Sequence, residues 1–208
     1  MRWHKASFFQ FLWTGCWLTV LFVTIYGTTN WLADSAAIKY RFYFSWELSL
    51  PLIPWMILPY NSLNLLTAMP MFYLHPGELR RLGRALGLAT LIAGVCFYLF
   101  PAPIGFTRPA SVPGWDFLYH IVWSLDRTSN TLPSLHITYS ALTIMALWRR
   151  CGSLAQAAFF IWFLVICCSV VFTWQHHVLD VVGGILLAAL CHLFVGKTPV
   201  EENFRWTL

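Results

Sequence analysis

Six apolar stretches, each near the roughly 20 residues that cross a hydrocarbon core, follow one another at about 8–31, 50–74, 82–100, 132–148, 154–172 and 178–195. Polar and charged residues collect in the connections between them. Pro51, Pro54, Pro59 and Pro70 interrupt the second stretch. Each proline removes a backbone donor, so a kinked helix, or a spanning helix preceded by an interfacial piece, is expected there. The fourth stretch is short and begins with polar residues, so its outer end is expected to line a cavity. The pattern predicts an all-α, polytopic membrane protein, with six transmembrane helices in one bundle and a single transmembrane domain over 1–208.

Composition strengthens that reading. Apolar and aromatic residues make up 59% of the 208 and charged residues only 10%, against about a quarter charged in soluble domains. Mean hydropathy is +0.64. A surface with so few charges is solvated by lipid, not by water. The formal charge of +5 does not point to nucleic acid, because the basic residues lie mostly in short loops between apolar runs. Cys16, Cys96, Cys151, Cys167, Cys168 and Cys191 form no Cys-x-x-Cys pair. Five of them lie inside apolar segments, where they read as packing residues and not as metal ligands.

The loops set the orientation. Arg2, Lys5, Arg80, Arg81, Arg84, Arg149, Arg150, Lys197 and Arg205 fall on one side, and Lys39, Arg41, Arg108 and Arg127 on the other. The positive-inside rule then places both termini in the cytoplasm. The N-terminal run after Met1 is longer than a signal-peptide core, so a retained helix is expected, with cleavage after Ser35 as the alternative. The outer face carries 31–49, 101–131 and the short turn 173–177. Within it, 115–126 alternates apolar and polar residues around Trp115 and Trp123, as a short interfacial helix gating a site would.

Three clusters of polar residues at that face could carry chemistry, since ionisable groups at membrane depth are costly. One ends in Arg108-Pro109, one is Asn130-Thr-Leu-Pro133-Ser134-Leu135-His136, and one is Thr173-Trp-Gln175-His176-His177-Val-Leu-Asp180. If the last helix starts near Gln175, His176 and Asp180 are i and i+4 on one face. The carboxylate would then fix the imidazole tautomer and leave the other ring nitrogen free to attack. His136, on another helix at the same depth, suits a general acid. Arg108, Ser134 and helix N-terminal amides suit phosphate oxygens. Asn130, Arg127 and Gln175 are auxiliary candidates. His177 points about 100° from His176 on a helix and is read as structural.

Taken singly, each residue has a plainer role. Histidines near helix ends are commonly interfacial, an arginine can anchor a headgroup, and an acid in a first turn favours the helix dipole. Their convergence at one depth is what suggests a site.

As a set, the three clusters resemble the signature motifs of the type 2 phosphatidic acid phosphatase superfamily: Lys-x6-Arg-Pro, Pro-Ser-Gly-His and Ser-Arg-x5-His-x3-Asp. The motif-bearing core spans about 82–195. The variants around Asn130–His136 and Gln175-His176 look like the branch that holds inositol phosphorylceramide synthases and bacterial relatives. The resemblance implies an integral protein, expected in a bacterial inner membrane with its site facing the periplasm or exterior. It implies a lipid phosphatase acting on a lipid phosphate or diphosphate in the bilayer, without metal or other cofactor. His176 would become a phosphohistidine, Asp180 would orient it, His136 would protonate the leaving group, and Arg108 and Ser134 would bind phosphate.

Two positions depart from the pattern. Pro101 stands where the first motif has lysine, and Val170 where the third has arginine after Ser169. Arg127, Lys39 or Arg41 could compensate, or the donor could carry less charge, as in lipid head-group transfer. A non-catalytic scaffold or transporter is a separate alternative, but transporters more often place paired polar residues near the midplane. A vanadate-dependent peroxidase-like activity fits less well, because those enzymes are soluble and richer in anion-binding cations.

Overall fold

The structure, a computed structural model, describes residues 5–126 and 128–196. Helix α1 (Lys5–Ser35) is apolar around most of its circumference, and only a narrow strip including Thr14, Thr29 and Ala33 is buried. That strip lies on α5 (Pro76–Leu99). The contact is close because α5 presents Gly83, Gly87 and Gly94. A Cβ at Gly83 would stand 2.5 Å from Thr14 Cγ2, one at Gly87 2.9 Å from Trp17, and one at Gly94 would collide with Ile25. Small residues let membrane helices approach at this distance.

The proline-rich segment is neither one helix nor a simple kink. It runs through 3₁₀ turns at Ser45–Ser49 and Pro54–Met56 into the short helices α2 (Ile57–Asn61), α3 (Leu63–Ala68) and α4 (Pro70–Tyr73). Side chains serve some of the carbonyls released by the breaks. Ser62 Oγ donates to Pro59 O (2.6 Å) and Asn61 Nδ2 donates to Ile57 O (2.9 Å). Trp162 in α8 then donates its indole N–H to Ser62 Oγ (2.8 Å), tying the broken segment to the bundle.

Helices α6 (Asp116–Leu125), α7 (Leu135–Trp148), α8 (Ser153–Phe172) and α9 (Val178–Gly196) complete the order. Among the described residues four helices, α1, α5, α8 and α9, are long and apolar enough to cross a membrane, and the chain is an integral membrane protein. The other two expected spans differ. Helix α7 has only 14 residues, and 50–74 is broken by its prolines. Helix α7 starts at Leu135, after Pro133 and at the Ser134 cap; further upstream, Ser129 O and Thr128 O accept the N–H groups of Ala102 and Ile104 (2.9 and 2.8 Å).

Candidate active site

Helix α8 is stopped by Trp174, whose φ of 58° lies in the left-handed region that non-glycine residues rarely enter. The turn is held by Val170 O, which accepts the N–H groups of Gln175 (3.0 Å) and His176 (2.9 Å). Trp174 is fixed in turn by stacking on Phe106 (5.0 Å) and by donating its indole N–H to Leu50 O (3.1 Å). Helix α9 therefore begins at Val178, where the sixth apolar stretch begins, and His176 lies in the turn before it. His176 and Asp180 still meet, with Nδ1 3.4 Å from Oδ2. The same Oδ2 accepts the His177 N–H at 2.8 Å.

Glycines also bring the second cluster against the third. A Cβ at Gly184 would stand 2.6 Å from Ser134 O, and one at Gly183 2.9 Å from Leu132. Across this contact Ser134 N–H donates to Asp180 O (3.1 Å) and Thr138 Oγ1 donates to Gly184 O (3.0 Å). His136, two residues after Ser134, is thereby fixed in the same cavity as His176. Its Nε2 lies 2.7 Å from Tyr60 O, and its ring stacks on the Tyr60 ring at 4.1 Å. A carbonyl only accepts, so Nε2 carries the proton and Nδ1 is left as the ring's acceptor.

His136 and His176 line one cavity of about 340 Å³, together with Tyr26, Tyr60, Asp126 and Asn130. His176 Nδ1, Asp180 Oδ1, Asn130 Oδ1 and Arg108 Nε are all buried without a hydrogen-bond partner among the described residues. Unpaired buried polar atoms are expensive; of these four residues His176 and Asn130 line the cavity, and Asp180 and Arg108 are not among its lining residues.

The other candidates are distributed less simply. Arg108 donates through Nη1 to Asp126 O (2.9 Å) and through Nη2 to Gln175 Oε1 (3.5 Å), and it lies 5.7 Å over the Trp123 ring. Burial lowers its pKa from the usual arginine value, and the Asp126 charge opposes that shift. Ser134 is fully buried and caps α7, its Oγ accepting the Ile137 N–H at 3.4 Å. Asn130 Nδ2 donates to Thr29 Oγ1 (3.2 Å). Lys39 reaches Ser129 Oγ (3.3 Å), and Arg41 reaches Ser45 Oγ (2.7 Å) and the Tyr43 ring. Arg127 lies outside the described residues. At the start of α9, Val178 N–H donates to Glu47 Oε2 (2.9 Å) and His177 N–H to Asp180 Oδ2 (2.8 Å).

His177 turns away from the cavity. It is stacked between Tyr43 (4.4 Å) and Phe106 (4.8 Å), and its Nε2 accepts the Gly105 N–H at 3.1 Å. Its Nδ1–H therefore donates to Glu47 Oε2 (3.1 Å). Burial pushes its pKa below the usual histidine value, against the pull of Asp180 and Glu47.

Three participants were not read from the sequence. Glu47, fully buried, joins the 36–49 loop to the start of α9. Asp126 faces the cavity and accepts a short hydrogen bond from Tyr26. Burial raises the Asp126 pKa, while the Tyr26 hydroxyl, His176 and Arg108 oppose the rise. An acid in so apolar a chain was a usable signal for Asp126. Nothing local in the sequence singled out Tyr26.

A family model described as the PAP2 superfamily matches residues 28–194. Comparison with curated proteins returns no significant match.

Proposed function

Because the chain belongs to the PAP2 superfamily, and so to phosphatase-type membrane enzymes, we propose that it is a lipid phosphatase that works through a phosphohistidine on His176. The observation that carries this reading is the shared cavity: two histidines from different elements face it, and one of them has a buried carboxylate at 3.4 Å. His176 Nε2 attacks phosphorus as the bond to the lipid oxygen breaks. His136 acts once its Nδ1, the acceptor of the neutral ring, has taken a proton from solvent; with Nε2–H held by Tyr60 O, it gives that Nδ1 proton to the departing alkoxide. Water then attacks the phosphohistidine, His136 recovers a proton from it, and the P–N bond breaks to release phosphate. Asp180 stabilises the positive charge that forms on the His176 ring, and Arg108 offers donors to the phosphoryl oxygens.

A lipid phosphate held in the bilayer fits this arrangement, with its head in the cavity and its site at the outer face, the side the loop charges suggest, of what the family resemblance makes a bacterial inner membrane. Brief exposure to a labelled lipid phosphate, followed by an alkaline quench, should leave label on the protein in an acid-labile, base-stable linkage. The label should be absent from His176→Ala. Labelling that persists in that variant would refute the assignment.

Head-group transfer is the second reading, and Asp126 favours it. A site that lacks two of the family's cations and adds a buried carboxyl suits a donor with less charge, and a carboxyl can receive the hydroxyls of a polyol acceptor. Formation of a phosphodiester product in the presence of a polyol, at the expense of free phosphate, would decide for transfer.

A further inference from the structure

At the end of the bundle remote from His136 and His176, a pocket of about 470 Å³ opens between α5, α7 and α9, within the roughly 300–1,000 Å³ usual for small-ligand sites. By helix rise, Arg149 lies about 20 Å from His136 along α7, and His192 lies about 18 Å from Asp180 along α9. The pocket shares no lining residue with the catalytic cavity. Buried Leu82, Ala85 and Leu142 make its apolar side.

Its polar side is basic. Arg81 comes from α5, Arg149 from the C-terminal cap of α7 and His192 from α9. Glu78, the acid among the described lining residues, is engaged elsewhere: Oε1 accepts from Arg150 Nε (2.9 Å) and Nη2 (2.7 Å), and Oε2 accepts the His75 N–H (2.9 Å). Arg150 offsets its charge, so the two lining arginines set the sign of the pocket. Trp148, an exposed lining residue, suits the headgroup level of a bilayer. This end of the bundle is the one that the positive-inside count assigns to the cytoplasm.

We propose that this pocket binds the phosphate headgroup of an anionic phospholipid from that leaflet. Arginines on two helices donate to the phosphate oxygens, and the apolar side takes the glycerol and the first acyl carbons. Basic pockets between membrane helices on this face suit such headgroups. A soluble phosphate shares the charge chemistry but has no use for the apolar side. A bound headgroup ties α5, α7 and α9 together at the end away from the histidines, so occupancy is read as stability of the fold. The inference is independent of the chemistry assigned to His176.

The test is the melting temperature of the detergent-solubilised full chain with dioleoylphosphatidylglycerol, with dioleoylphosphatidylcholine, or with inorganic phosphate alone. Wild type should melt about 3 °C or more higher in phosphatidylglycerol than in phosphatidylcholine, and inorganic phosphate should not reproduce the shift. Arg81→Gln/Arg149→Gln should lose the difference between the two lipids. Arg149 is exposed, so Arg149→Glu alone should fold and lose it too, which keeps the test valid if the double variant is unstable. Arg80 and Arg84 are exposed on the same helix outside the lining, and Arg80→Gln/Arg84→Gln should keep the full shift. The proposal is overturned by no shift in wild type or by an undiminished shift in Arg149→Glu. An equal loss in Arg80→Gln/Arg84→Gln would overturn it as well, because the charge of the whole face would then be responsible. A full shift with inorganic phosphate would make the occupant a soluble anion and overturn the lipid assignment.

Discussion

Asp180 Oδ2 stands 3.4 Å from His176 Nδ1 and at the same time accepts the backbone N–H of His177 at 2.8 Å. One carboxylate oxygen thus serves both the reacting ring and the turn that carries it. Asp180→Asn can keep the acceptor for His177 but loses the charge that would stabilise a cationic His176. Turnover should fall about 10²-fold or more, with the melting temperature nearly unchanged. A large drop in melting temperature would show that Asp180 acts mainly as a structural cap.

The adjacent histidines should separate cleanly. His177→Ala leaves Glu47 buried beside an empty stack, and should cost about 3 kcal/mol of stability. The folded fraction should still turn over substrate, whereas His176→Ala should be folded and inactive. Equal specific-activity losses in the two variants would mean that the nucleophile is misassigned.

His177 also sets a pH dependence of stability. Its folded pKa is depressed by burial, so the unfolded chain binds its proton first as pH falls. The stability it contributes is complete above about 6.5, the unfolded value, and declines below that as pH drops toward the depressed folded value. Melts at neutral and mildly acidic pH should show this loss in wild type and a smaller one in His177→Gln. Parallel slopes would contradict it.

Asp126 should act on substrate affinity in the opposite pH direction. Burial raises its pKa, so it is neutral below that value and gains a negative charge beside the phosphate above it. Tyr26, Tyr60, His136, Tyr139, His176 and Arg108 are the ionisable groups that face it or share its cavity. KM for a lipid phosphate should rise as Asp126 ionises, and Asp126→Asn should remove that rise with the same substrate. A KM–pH profile unchanged in the variant would remove Asp126 from the site.

Helix α6 forms where the sequence suggested an interfacial helix, and Val122, Leu125 and Ile121 line the cavity. Trp123 supports the Arg108 guanidinium at 5.7 Å. Replacing Trp115 and Trp123 together by Ala should lower turnover about tenfold, within the range of lost cation–π support and lost packing. Unchanged kinetics would dispose of a gating role.

Much of the site was legible because a chain with 10% charged residues makes each ionisable group near a helix end conspicuous. That logic found His136, His176, Asp180 and Arg108. It could not find Glu47, which meets His177 across 130 residues of sequence, or Tyr26, which meets Asp126 across 100. Those pairings come from how loops close over the bundle, and no local period encodes them. The i,i+4 argument brought His176 and Asp180 together by supposing a helix start near Gln175; they meet with His176 in the turn that Trp174 sets before α9, which starts at Val178 with the apolar stretch. Prolines marked the second stretch as irregular, but not how far the backbone would break, because that depends on partners such as Trp162 in α8.

The most direct test of the central claim is phosphate release by purified, detergent-solubilised protein from a panel of lipid phosphates, without divalent metal, comparing wild type with His176→Ala. Release by wild type that vanishes in the folded variant is the predicted result. Equal release by both proteins, or none from any lipid by folded wild type, would contradict a phosphatase that works through His176.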